Sequence, residues 1–134
     1  MRLEVLLSSV AHRYDICYID TPPKVEGLAL VAMVASNGAI IVAAPQTLSF
    51  ASTRVYTTTI GQVQASLNPD LRLLGVLLNK VVDGEEANFI IDQLGAAGMH
   101  VFKTSIPLSR YASKAAATGV PTALAHRSRA IGRT

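Results

Sequence analysis

Tyr14-Asp15-Ile16-Cys17-Tyr18-Ile19-Asp20-Thr21-Pro22-Pro23 is the stretch on which the reading of the fold turns. Its first seven residues are apolar or aromatic except for Asp15 and the closing Asp20. Side chains of this kind suit a pleated, half-covered or covered surface. Residues 14–20 are therefore expected to form a short buried strand. Thr21-Pro22-Pro23 ends it, because neither proline can donate to a ladder. The acid at the strand's end is costly there unless it is hydrated, paired or bound to a cation.

Working outward, helix and strand patterns alternate. Leu3, Leu6, Leu7 and Val10 recur at helical spacing, so residues 1–12 read as an amphipathic helix. Residues 28–35 are apolar on all sides and read as a buried helix. Residues 39–44 read as a second buried strand, stopped by Pro45. Thr47 is a fitting N-cap for a long helix from 48 to about 67. Asn68-Pro69-Asp70 marks a turn, and residues 71–79 a third strand. Asp83-Gly84 opens a loop before a helix over 85–97, with Ile90, Leu94 and Ala97 inward and Gly98 at its C-terminus. Residues 101–106 read as a fourth strand ending at Pro107. Ser109 is placed to cap a helix running to about 118, stopped by Gly119 and Pro121. Continuous apolar strands separated by helices predict an α/β fold, a parallel sheet flanked by helices. Residues 1–134 are expected to form one such domain, with 122–134 as a basic C-terminal segment. Ligands of such sheets sit at the carboxyl ends of the strands. Those ends are Asp20 to Pro23, Pro45-Gln46, Asn79-Lys80 and Ile106-Pro107.

Composition narrows the function classes. The chain has 134 residues, 50% of them hydrophobic and 16% charged, against roughly 25% charged in an average globular chain. The apolar content excludes disorder, and no apolar run reaches the length of a membrane span. A single cysteine, Cys17, cannot form an internal disulfide and fits a reducing cytosol; it is expected to be a small buried hydrophobe. His12, His100 and His126 have no metal-ligand spacing. Residues 1–92 carry six basic and nine acidic side chains, whereas 93–134 carry six basic and no acidic ones, so the net charge of +3 comes from the C-terminal third. A tail of one sign suits either a polyanion such as nucleic acid or plain solvation. Tyr111 beside Arg110 could stack on a base, but packing on its own helix is the expected role.

Asp20 has two readings from its position alone. It either holds the water shell of Mg²⁺ beside a nucleotide's phosphates, as a Walker B acid does, or caps the helix that follows. A phosphorelay receiver also sets a carboxylate at a strand end, but it clusters acids early in the chain, and this sequence does not.

Four motifs in order resemble the ParA/MinD group of deviant Walker ATPases. Residues 14–23 are similar to its "YDxxxIDTPP" segment, and residues 39–46 to its "xxIIVxxPQ" strand. Residues 67–79 are similar to "LNPxLxxxGVLLN". Thr104-Ser105-Ile106-Pro107 followed by Ala115-Ala116-Ala117 and Gly119-Val120-Pro121 is similar to the family's ending. The resemblance implies a P-loop NTPase-like fold truncated at the N-terminus, with Asp20 as the Walker B acid acting through water on Mg²⁺. It implies that Thr21, Pro22 and Pro23 form the switch beside the γ-phosphate of ATP, and that Asn79 and Pro107 border the adenine. An Asn amide suits adenine because it both donates and accepts; a polar strand terminus and a strand-ending proline are the plainer roles for the two. The resemblance further implies a ParA-like chain of the cytoplasm and nucleoid, with no membrane association, that serves plasmid or chromosome segregation. Such a chain dimerises with itself or a full-length homologue, binds DNA nonspecifically, here through Arg110, Lys114, Arg127 and Arg129, and answers to a ParB-like partner.

The chain departs from that family in one decisive place. The "KGGxxKT"-type phosphate loop is absent, and no glycines stand in a Gly-x-x-x-x-Gly-Lys-[Ser/Thr] spacing. Lys114 also stands where an acid is common, Leu108 where an Arg often follows the Ile-Pro, and residues 83–86 are acidic. Phosphoryl transfer depends on the missing cradle, so this chain alone is expected not to hydrolyse ATP. A fragment, a truncated reading frame, or a chain that pairs with another is expected. The alternative is a non-enzymatic interaction or DNA-binding module that modulates a full-length homologue.

Overall fold

A computed structural model describes residues 3–45, 50–82, 84–109, 111, 112, 115, 117 and 119. In chain order the elements are helix α1 (Leu3–Ser8), a 3₁₀ turn (Ala11–Arg13), α2 (Leu28–Val34), β1 (Gly38–Ala43), α3 (Phe50–Ser66), β2 (Arg72–Val81), α4 (Gly84–Ala96) and β3 (Ile106–Pro107). The three strands form one sheet in the order β1-β2-β3. The Arg72 N–H donates to the Asn37 carbonyl (2.9 Å) where β1 and β2 both begin, so these strands run the same way. β3 pairs with β2 in parallel. The expected α/β architecture with a parallel sheet is what forms.

The chain divides into two compact units, residues 1–40 with 49–74 and residues 41–48 with 75–134. In the first unit α2 packs on α3. Ala29 and Ala32 are the buried residues of α2, and their small side chains suit a close approach. From α3 come Thr53, Ile60 and Val63, spaced at i, i+7 and i+10 on one helical face. The helix is rich in β-branched residues that do not favour helices. Two of its hydroxyls bond back within the helix: Thr57 Oγ1 donates to the Thr53 and Arg54 carbonyls (both 3.1 Å) and Thr59 Oγ1 to Val55 (2.9 Å). Burial of one face therefore outweighs weak propensity. Asn68 joins the turn after α3 to the end of α2. Its Nδ2 donates to the carbonyls of Met33 (3.1 Å), Val34 (3.1 Å) and Ser36 (2.7 Å). Its Oδ1 accepts from the Asp70 N–H (3.2 Å).

In the second unit the buried residues include Ile41, Val76, Leu78, Ala87, Leu94 and Ala115. The Val76 N–H donates to the His100 carbonyl (2.9 Å) and the Phe102 N–H returns a bond to Val76 (3.0 Å). Gly75 makes that approach possible: a Cβ there would lie 2.8 Å from His100 Cδ2 and 2.9 Å from its carbonyl oxygen. Helix α4 ends in a Schellman motif on Gly98 (φ 77°), whose N–H donates to Gly95 while that of Met99 donates to Leu94 (both 2.9 Å). Ala87 and Leu94 are its buried residues; Ile90 is half-buried and Ala97, just past the helix, is exposed.

Besides the outward Ala97 and a first helix shorter than the expected 1–12, three further expectations fail. Residues 14–20 form no strand, and Tyr14, Ile16 and Tyr18 are 65%, 67% and 84% exposed. An apolar sequence becomes a strand only beside a neighbour that takes its backbone bonds, and none of the described strands pairs with it. Cys17, on this segment, is exposed instead of buried. The fourth strand is reduced to a bridge, Val76 to Val101, and the two residues of β3. From Val76 to Asn79 is three steps along β2, while the paired residues Val101 and Ile106 are five apart, so the chain bows out between them. The third failure is one of coverage: Leu28 (73% exposed) and Val31 (46%) leave one face of α2 open, and Ile40 and Val42 leave β1 partly open. Thr47 lies outside the described residues. Among those described, no helix is long and apolar enough to cross a membrane.

Candidate nucleotide site

Asp20 lies in irregular, exposed chain directly before Thr21, Pro22 and Pro23, which are exposed as well. Its carboxylate has no hydrogen-bond or ion-pair partner among the described residues. It is therefore not capping a helix, and water is free to surround it. Three residues on, the segment is fastened: the Tyr56 hydroxyl donates to the Pro23 carbonyl (3.1 Å). Tyr56 stands on α3, whose burial fixes the anchor. Beside the tether, Pro23, Lys24, Val25, Glu26, Ser52, Val55 and Tyr56 line an open hollow of about 370 Å³. A loose ion pair, Lys24 to Glu26 at 3.8 Å, crosses its rim with both side chains mostly in water, so it contributes little.

Asn79 and Pro107 lie in the second unit. Asn79 is half-buried near the carboxyl end of the central strand, paired with Ile106. The next pair is Val81 with Pro107, so Lys80 has no partner across the ladder and forms a bulge. Lys80 has φ 60°, and its N–H donates to Asn79 Oδ1 (2.9 Å). The Leu108 N–H closes the end of the pairing on the Val81 carbonyl (2.8 Å). Pro107 is exposed and ends β3, a role that its missing N–H dictates. The structure thus brings Asn79 and Pro107 together at one strand end, with Asp20 to Pro23 on a separate segment of the other unit.

The Ser109 hydroxyl accepts from the Tyr111 N–H (3.2 Å), the cap the sequence suggests. Arg110, Lys114, Arg127 and Arg129, the candidate DNA contacts, lie outside the described residues. No group of three or more His, Cys, Asp or Glu among the described residues is placed to hold a metal ion. Taken unit by unit, Asp20 in the first offers an exposed carboxylate of the kind that suits a metal's water shell, and Asn79 in the second an amide of the kind that suits a base. Neither brings a glycine-rich cradle for the phosphates, so no hydrolytic step is derived from these residues. Sequence reasoning missed Tyr56, and it placed Lys80 at a strand end without foreseeing its bulge. A polar residue directly after the Asn at a strand end was the available signal for Lys80; nothing in the sequence marks Tyr56.

The sequence family described as AAA domain matches residues 1–73. The chromosome-partitioning ATPase Soj of Thermus thermophilus is 35% identical over 97 residues, which is 70% of this chain and 39% of that protein. The sporulation initiation inhibitor protein Soj of Bacillus subtilis is 30% identical over 128 residues, 92% of this chain and 50% of that one. Cobyrinic acid a,c-diamide synthase from Mycobacterium smegmatis, solved with a bound ATP analog and magnesium, superposes with a TM-score of 0.72 at 26% identity, over 81% of this chain and 45% of that one. The chain spans between 30% and 50% of the length of the curated relatives it matches.

Proposed function

This chain belongs to the ParA-type P-loop ATPase family, and from that premise we propose that it serves DNA partitioning as the Walker B half of a Mg²⁺-ATP site. One observation carries the reading: similarity to a Soj protein extends along 92% of the chain. Asp20 orders the water shell of Mg²⁺, and Thr21, Pro22 and Pro23, tethered by Tyr56, respond to the γ-phosphate. Asn79 and Pro107 border the adenine. Residues 1–134 act as part of one α/β domain in the cytoplasm, associating with a second copy or a full-length homologue that brings the phosphate loop. Arg110, Lys114, Arg127 and Arg129 bind DNA phosphates in the basic third of the chain, and a ParB-like protein is the regulatory partner. Alone, the chain binds nucleotide without turning it over.

The test is calorimetry of Mg²⁺-ATP and Mg²⁺-ADP with the purified chain. Binding is expected in the wild type and a loss of about tenfold or more in Asp20→Ala, the scale of a charge-assisted contact. A folded wild type that binds neither nucleotide would favour the interaction module instead. A steady ATPase rate lost in Asp20→Ala would overturn the view that the chain is not hydrolytic alone.

A further inference from the structure

Lys80 is the one non-glycine residue with positive φ among those described. A left-handed backbone costs a lysine free energy that glycine or asparagine largely escapes. Such a conformation persists where the surroundings over-determine it, and it clusters at sites that need a fixed geometry. Here the surroundings are explicit. Asn79 pairs with Ile106 on one side of the bulge and Val81 with Pro107 on the other, so Lys80 is pinned between two ladder positions. Its N–H, freed from the ladder, turns onto Asn79 Oδ1 at 2.9 Å.

That bond settles the carboxamide. With its oxygen on the Lys80 N–H, Asn79 cannot flip, because the flip would set an amide NH₂ against an N–H and leave both without an acceptor. One lone pair of Oδ1 is occupied. The two Nδ2 donors have no partner among the described residues, on a half-buried side chain at the carboxyl end of the central strand. What remains to be satisfied there is a donor.

We propose that Lys80 is a positioning residue: its left-handed bulge locks the Asn79 carboxamide so that the strand end recognises a nucleobase by donation from Nδ2 to a ring acceptor. The inference rests on the nucleotide reading above and adds which residue fixes the amide and which of its atoms does the recognising. The lysine acts through its main chain, so its ammonium is dispensable.

The experiment is a double-mutant cycle on the full chain, with Mg²⁺-ATP as the probe. Lys80→Gly and Lys80→Asn accept positive φ and should bind within about twofold of the wild type. Lys80→Val, β-branched, resists it and should weaken binding about tenfold, as should Asn79→Asp, which keeps Oδ1 and loses the donor. Added to Asn79→Ala, Lys80→Val should cost nothing further, since the two act as one unit. Lys80→Ala repeats the test should Lys80→Val not fold. Loss of binding in Lys80→Gly and Lys80→Asn would show that the ammonium is what matters and would overturn the proposal, as would additivity in the cycle. Exchange of the Lys80 amide proton tests the lock without nucleotide. It should be slow in the wild type and at least about tenfold faster in Asn79→Ala; an unchanged rate overturns the lock. A folded wild type with a slow Lys80 amide but no affinity for ATP overturns the nucleotide reading, and the base recognition with it.

Discussion

At the end of α2 a single carboxamide does the work of a helix cap from a distance. Asn68 lies 32 to 35 residues beyond the carbonyls it gathers, those of Met33, Val34 and Ser36. Val34 ends the helix and Ser36 lies just past it, where carbonyls lack intrahelical donors, while the Met33 carbonyl also accepts from the Ser36 N–H (3.3 Å). Removing the donor strips the part-buried Val34 and Ser36 carbonyls of this bond, so Asn68→Ala should destabilise the chain by about 1–3 kcal/mol in urea denaturation. Asn68→Asp should cost at least as much, because it sets an anionic oxygen against carbonyl oxygens. The turn itself was legible in Asn68-Pro69-Asp70, whose chemistry is local. The cap was not, since its acceptors are set by tertiary packing. The same division holds at the candidate site. Asp20 and Asn79 stand out as polar residues closing apolar runs, whereas the φ of Lys80 and the tether from Tyr56 depend on partners far along the chain.

Three helices and two strands lie close to their expected bounds, while the helix expected over 1–12 shortens to Leu3–Ser8 and the strand expected over 14–20 does not form. A helix satisfies its backbone within itself, so α3 and α4 lie within two residues of the boundaries their patterns predict. A strand needs a neighbour. β2, central in the sheet, is found near its expected position and buries Val76 and Leu78. Residues 14–20 have an equally apolar sequence and no ladder partner among the described strands, so they stay irregular and exposed. Helix α3 shows how much rests on one face. Ile60 is 3% exposed on a helix of poor intrinsic propensity. Ile60→Ala should cost about 2–5 kcal/mol and Ile60→Val about 0.5–1.5 kcal/mol, measured by the shift in urea midpoint. Equal effects of the two would mean that the site collapses around the lost volume and that Ile60 is not closely packed.

For the molecule as a whole, little charge guards a good deal of apolar surface. Tyr18, Leu28, Val82 and Ile16 are 84%, 73%, 68% and 67% exposed, while only 16% of residues are charged. Exposed apolar side chains on a chain with so little charge favour association. Sedimentation of the wild type should give a mass above 14.2 kDa that rises with concentration and persists in high salt. Ile16→Lys with Tyr18→Lys should lower it towards the monomer. A monomer at all concentrations would show that these side chains are tolerated singly. The helix-strand alternation announced the α/β class from the sequence, but the exposure of residues 14–20 could not be foreseen, because burial belongs to the assembly and not to the segment. The turn that holds α2 also bears on how the protein ages. Asparagine side chains deamidate when the next residue's backbone nitrogen attacks the amide carbon and closes a five-membered imide. Pro69 has no N–H with which to begin that attack. Asn68 is thereby shielded from the slow chemistry that would turn its donor into a carboxylate. Asn37, exposed and followed by Gly38, faces no side chain on the next residue to slow that attack.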